Sequence, residues 1–229
     1  MKLRLLTIAA SALMLVGCPY DDDDSSYERT YTISVTNLTA NQPLSPLAVL
    51  GHNSHYQLFT LGSAATQALE MLAEGGDNSA VLAIRNSSRN VSYSASGGGV
   101  ILPGSSDTVT LTMNRFWASR VSVASMLVNT NDAFVGETKV KVSQLGVGES
   151  VTMNMTVWDS GTEANAETAA TVPGPAGGGE GFNSTRDDSD KISFHAGVVS
   201  QDDGLATSVL KANHRFLNPG AKLTITRTQ

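Results

Sequence analysis

The sequence predicts an all-β fold, an antiparallel β-sandwich of seven or eight strands with one short helix. Three observations point to it. Val, Thr and Ile recur with period two in short runs; Gly, Pro, Asn and Asp punctuate the gaps between them; and one segment alone switches to a helical period. No repeat of fixed period is present. The 229 residues suit one large β domain, able to bury a core without disulfides.

Taken in order, "MKLRLLTIAASALMLVGC" places Lys2 and Arg4 before an apolar run from Leu5 to Val16 and a small residue ahead of Cys18. A basic start followed by a short apolar run reads as an export signal over residues 1–17, too short to span a bilayer with margin. Leu15-Val16-Gly17-Cys18 resembles the lipobox of bacterial lipoproteins. That resemblance implies cleavage before Cys18 and lipidation of its sulfur, a role that suits the only cysteine of the chain. The competing reading is a plain secretory signal followed by a chance cysteine. Pro19 stands where an aspartate would retain such a protein in the inner membrane, so the expected location is the bacterial outer membrane, lipid-anchored, facing periplasm or cell surface.

Loss of residues 1–17 removes Lys2 and Arg4 and takes the formal net charge from −6 to −8. A chain this acidic lacks the basic footprint of nucleic-acid or heparin binding. Residues 18–29, with Asp21 to Asp24 consecutive, read as a solvated tether extended by self-repulsion. A run of like charges without preorganisation is not expected to hold calcium.

The sandwich is expected over 30–229. Its strands are read at "TYTISVTNL" (30–38), "NVSYSAS" (90–96), "DTVTLTM" (107–113), "SRVSVASMLV" (119–128), "VTMNMTVW" (151–158), "KISFHAGVV" (191–199) and "AKLTITRT" (221–228). In "SAATQALEMLAEGGD" (63–77), Ala65, Leu69 and Leu72 share a helical face, with Ser63 as the expected N-cap and Gly75-Gly76 as the stop. "TVPGPAGGGEGFNSTRDDSDK" (171–191) cannot hold regular structure and is expected to be a long mobile loop.

Carboxylates gather in "TVWDSGTEANAE" (156–167), where a strand runs into Asp159, Glu163 and Glu167. "VNTNDAFVG" (128–136) delivers Asp132 just past another strand. If the two loops share one end of the sandwich, Asp132, Asp159 and Glu163 converge. A hard cation such as calcium takes six to eight oxygen ligands, and loops at a sandwich end bring such oxygens together from distant positions. Carboxylates this close repel and raise one another's pKa unless a cation neutralises them. Gly161 lets the backbone turn between Asp159 and Glu163, and Thr162 can brace that turn. The competing reading is a polar loop end without metal. Trp158 is read as packing the sandwich end and Glu167 as solvated loop.

"TNDAFVG" together with "VWDSGTE" resembles the paired motifs of the spondin N-terminal domain family, S-P-D-x-x-V-G followed by W-D-x-G-T-[DE]. "NLTANQPLSPL", "LFTLGSAATQALEMLAEGGDNSAVL", "VPGP" and "SFHAGV" are similar to bacterial members and fall in the same order, so the resemblance runs from Tyr31 to about Val199. It implies an eight-stranded sandwich like that of calcium-dependent lipid-binding domains, and an adhesive role such as animal members have in the extracellular matrix. It also implies one calcium ion held by Asp132, Asp159 and Glu163. Three departures stand out. Glu163 replaces an aspartate, Asn131 replaces a proline, and the cysteines of the animal proteins are absent.

Other features are given bland readings. His52 and His55 lie in a loop flanked by Gly51 and Asn53, without a third ligand for a transition metal. His195 is read as a satisfied structural histidine and His214 as part of a turn. "SGGGV" (96–100) and "AGGGEG" (176–181) lack the Lys and helix of a phosphate loop. No G-x-S-x-G elbow or positioned base appears, so catalysis is not expected. The expected function is a calcium-binding adhesion or ligand-binding module, with a protein or glycan partner of unknown identity and no nucleic acid. The alternatives are an envelope scaffold whose metal only stabilises the fold and, last, a glycan hydrolase using Asp132 and Asp159 as its carboxylate pair.

Overall fold

The computed structural model describes residues 27–229; the expected signal, Cys18 and the tether as far as Ser26 lie outside the described residues. Nine strands form one continuous antiparallel arrangement: β1 (Glu28–Asn37), β2 (Ala48–His52), β3 (Val91–Ser96), β4 (Ser106–Asn114), β5 (Arg120–Met126), β6 (Ala133–Lys141), β7 (Ser150–Asp159), β8 (Ser193–Phe194) and β9 (Ala221–Arg227). Their order is β3-β2-β5-β6-β7-β9-β1-β4, with β8 added beside β7. The fold is all-β, and the sheet nearly closes on itself, because the Asn114 amide at the end of β4 donates to the Tyr93 hydroxyl of β3 at 2.9 Å.

β7 belongs to both layers. Its first half, Ser150 to Met155, pairs with β9, and its second half, Thr156 to Asp159, pairs with β6. Between the layers lies the main core, including Ile33, Val35, Val49, Val123, Val135, Met155, Val157, Leu223 and Ile225. β1 shows why period two was readable there. Tyr31, Ile33 and Val35 point inward, while the Ser and Thr between them face solvent beside β4 and β9.

The other layer is covered on its outer face as well. Helix α1 (Gln67–Gly75) and the short α2 (Ser79–Ala83) lie over it, and Leu69, Leu72 and Val81 pack with Leu50, Ala124, Phe134 and Trp158 in a second core. Each fully buried Leu or Phe contributes about 1.5–3 kcal/mol. Strands here are apolar on both faces and do not alternate, which is why β2, with all five residues buried, and β6 were not read from the sequence. The N-cap of α1 is Thr66 and not Ser63: the Thr66 hydroxyl accepts from the Leu69 amide at 3.3 Å. The stop is as expected, with Gly76 at φ 68° donating to the Leu72 carbonyl.

Two expectations after β7 are corrected. The strand read over 191–199 shrinks to Ser193–Phe194, because Gly197 takes φ 96° and turns the chain away. The 171–191 loop has no regular structure, yet it is fastened and not free. Gly179 donates to Val172 O at 2.9 Å, Asn183 to a Glu74 carboxylate oxygen at 2.9 Å, and Arg186 grips both Glu70 oxygens at 2.9 and 2.6 Å.

Candidate metal centre

The β5–β6 loop closes tightly. Leu127 donates to Ala133 O at 2.8 Å, and the Thr130 hydroxyl donates to Leu127 O at 2.6 Å while accepting from the Ala133 amide at 3.1 Å. Asp132 is thereby fixed one residue before β6. The pairing of Ala133 with Asp159 then brings it beside the end of β7. Asp132 and Asp159 therefore lie at the same end of the sandwich, the condition on which the sequence reading made them converge.

The 160–163 turn wraps around a single oxygen of Asp132. Its Oδ2 accepts from the Ser160 hydroxyl at 2.9 Å, the Thr162 amide at 2.8 Å, the Thr162 hydroxyl at 3.2 Å and the Glu163 amide at 3.1 Å. Gly161 sits at φ 71°, and a Cβ there would lie 2.5 Å from the Lys191 carbonyl oxygen, so only glycine fits. Asp159 takes the Gly161 amide on Oδ1 and the Asn165 amide group on Oδ2, both at 2.8 Å. The 187–190 backbone straps over the turn, Asp187 donating to Thr162 O and Asp190 to Gly161 O.

Against this satisfied frame, several buried atoms have no partner. Among the described residues they are Asp132 Oδ1, Glu163 Oε2, Glu167 Oε2, Glu74 Oε1, His195 Nε2 and Asn131 Nδ2 at this end, and Arg120 Nε elsewhere. Four of these atoms are carboxylate oxygens. A buried unpartnered polar atom costs about 1–3 kcal/mol, and more when charged. The carboxyls respond as expected for charges out of water. Burial, with the Asp159 charge adding, pushes Asp132 up to about 6 despite its donated hydrogen bonds. Burial and then the charges of Glu74, Asp132, Asp187 and Glu180 push Glu163 up to about 8. Burial takes Glu167 to about 7 and also raises Glu74.

Two residues differ from their sequence reading, and a third had none. Glu167 is not solvated loop: it is buried at φ 55°, its amide donating to Asn131 Oδ1 at 3.2 Å and its Oε1 accepting from Val199 at 3.3 Å. Asn131, in place of the proline, thus ties the first loop to the second. His195 is only half satisfied: Nδ1 accepts from the Gly197 amide at 3.0 Å and Nε2 has no partner. Its burial lowers the pKa while the Asp159 charge raises it. Glu74, supplied by α1, was missed altogether. Its signal was the i, i+4 pair Glu70 and Glu74 on the helix whose Leu69 and Leu72 face the protein. Trp158 packs as expected between Phe59 and Phe194, its indole donating to Gly136 O at 3.0 Å. His52 is engaged on both nitrogens, with Asn53 O and Ser122 Oγ at 2.8 Å each.

Oxygen donors from carboxylates, carbonyls and hydroxyls suit a hard cation and not a soft one. The unpartnered Asp132 Oδ1 and Glu163 Oε2 have the chemistry of calcium ligands, so the residue types fit. Among the described residues, however, no three His, Cys, Asp or Glu side chains are arranged to hold an ion as they stand. Ligation by Asp132, Asp159 and Glu163 therefore requires their side chains to close together.

A search of curated proteins returns no match. The Spondin_N family model matches residues 26–174, which takes in both motifs and Glu167 and ends short of "SFHAGV". The match spans well over half of the chain, and so this protein belongs to the spondin N-terminal domain family, at a coarse level a family of extracellular, adhesion-type modules.

Proposed function

We propose that this chain is an envelope lipoprotein, anchored in the bacterial outer membrane through a lipidated Cys18, whose spondin domain binds calcium and serves as an adhesion or ligand-binding module. The observation that carries the calcium reading is the pair of buried, unpartnered oxygens, Asp132 Oδ1 and Glu163 Oε2, with two further unpartnered carboxylate oxygens, of Glu74 and Glu167, at the same end. Asp132, Asp159 and Glu163 are the residues that would hold the ion. When bound it would supply the positive charge that those carboxylates lack. The protein's own part is to hold Asp132 with four donated hydrogen bonds, to turn the chain at Gly161, and to keep water out beneath the 187–190 strap. We assign no catalytic role: Asp132 is fully buried and its Oδ2 saturated, a poor arrangement for a proton-transferring pair at a cleft.

A second reading, an envelope scaffold whose metal only stabilises the fold, is favoured by one feature. The cluster joins α1, the β5–β6 loop, the 160–163 turn and the 183–191 segment. Thermal unfolding of the mature protein with calcium and with chelator tests the metal, because binding confined to the folded state raises the midpoint as calcium passes its dissociation constant. No rise at millimolar calcium, or an equal rise in Asp132→Asn, would refute it. Capture of protein-coated beads by cells, well below the unfolding midpoint, separates the two roles: calcium-dependent capture supports the module, and capture indifferent to calcium supports the scaffold.

A further inference from the structure

The two ends of the sandwich differ in charge. The carboxylates stand where β6 begins and β7 ends. The opposite end is where β1 begins, β4 turns into β5, and β6 and β9 finish, since Glu28 pairs with Asn114 and Arg120 with Lys141. Arg29, Arg85, Arg89, Arg115, Lys141 and Arg227 gather there in a chain of net charge −6.

That end also carries exposed aromatic rings. The turn after β4 presents Phe116 and Trp117, 65% and 66% exposed, and is held by the Trp117 and Ala118 amides on Asn114 O. The Tyr27 ring lies 5.2 Å from that of Phe116, and the Arg115 guanidinium stands 5.1 Å from Phe116 and 5.7 Å from Tyr27. Beside them is a depression of about 590 Å³ lined by Arg85, Arg89, Tyr93, Phe116 and Trp117. Neither Arg85 nor Arg89 enters an ion pair among the described residues. Rings that bury an apolar body while keeping a wet edge, set among arginines, match a bilayer interface with its phosphates.

The point at which the chain leads back toward Cys18 selects the occupant. Tyr27 is the first described residue and part of the patch. The residues from Cys18 to Ser26 reach at most about 30 Å when fully extended. A lipid on Cys18 therefore keeps this end, and not the acidic one, next to the membrane.

We infer that this end docks on an anionic phospholipid surface, with Phe116 and Trp117 at headgroup level, Arg85, Arg89 and Arg115 toward the phosphates, and the carboxylate end directed away. The orientation rests on the lipid-anchor reading; the contact is read at a separate residue. Trp158 is buried, so Trp117 is the indole that responds to lipid. The lipidated mature protein is mixed with phosphatidylglycerol–phosphatidylcholine vesicles whose acyl chains carry bromine near the headgroup. The expected result is quenching of Trp117 that is absent in Trp117→Phe and weakened by high salt. Arg85→Gln and Arg89→Gln should each reduce the docked fraction's binding constant roughly fivefold. Unchanged Trp117 emission overturns the inference. So does emission that responds to polygalacturonate and not to vesicles, which would make the patch a glycan site. The intact mass of the same protein reports the anchor independently: Cys18 without added acyl mass refutes lipidation, while the bromine signal still decides docking.

Discussion

Glu163→Gln isolates the electrostatic core of the proposed centre. In chelator, the folded protein holds the Glu163 carboxyl up to about 8, against an ordinary value of 4.5, chiefly through burial and the nearby Glu74 and Asp132 charges. Between those two pH values the folded state binds more protons at this position than the unfolded state. Stability from this group is therefore complete below pH 4.5 and declines as pH rises toward 8. At about 1.4 kcal/mol per pH unit for one proton, the interval corresponds to on the order of 5 kcal/mol. Asp132 and Glu167, raised to about 6 and about 7, act in the same direction, but the acids repel one another and their contributions do not add. Thermal unfolding in chelator at steps from pH 5 to 8.5 should show the native protein losing stability with pH, a fall of roughly 10 to 20 °C in midpoint. Glu163→Gln, which cannot ionise, should lose much less. Calcium should remove the native protein's decline and leave the variant's curve nearly unmoved. A native curve in chelator that is flat or rises with pH would refute the reasoning, because the carboxyls would then not be paying for burial.

Three further outcomes follow from the same frame. Asp132→Ala removes the acceptor of four hydrogen bonds from the 160–163 turn and should cost about 3–5 kcal/mol in chemical denaturation, with Asp132→Asn milder. Gly161→Ala meets both a left-handed φ and the Lys191 carbonyl at 2.5 Å, so a loss of roughly 2–4 kcal/mol and a weakened calcium response are expected from thermal unfolding in the two buffers. Arg186→Ala leaves the buried Glu70 without its guanidinium and should release the 183–191 segment. Limited proteolysis should then cut within that segment faster, with a loss of about 1–3 kcal/mol in global stability.

What was legible in the sequence follows from how many faces of each element meet solvent. β1, β4 and β9 bury one face, and their Ile, Val and Leu alternate with Thr and Ser. β2 is buried along its whole length and β6 for most of its own, because α2 roofs the outer side of β2 and α1 that of β6, so no period of two was there to find. At the site, Asp132 and Asp159 were legible because each ends or begins a strand, and strand pairing brings such residues together. Glu74 and Glu167 were not. Their burial depends on tertiary contacts, the 183 amide on one and Val199 on the other, that no local spacing encodes. The same holds for Glu70, whose partner Arg186 arrives from a stretch that reads as pure loop.

β1 lies between β4 and β9, in register from Glu28 opposite Asn114 to Thr36 opposite Ser106 on one side and from Tyr31 opposite Arg227 to Asn37 opposite Ala221 on the other. A pull on the N-terminus, resisted by a load held at the carboxylate end, runs along these strands. Both ladders are then loaded in shear, every bond at once, and cannot be peeled one pair at a time. β7 carries the same tension from the β9 layer into the β6 layer without a break in the chain. If the domain is held through Cys18 and engaged at its carboxylate end, as proposed, these ladders resist force along the strands and yield first to force applied across them.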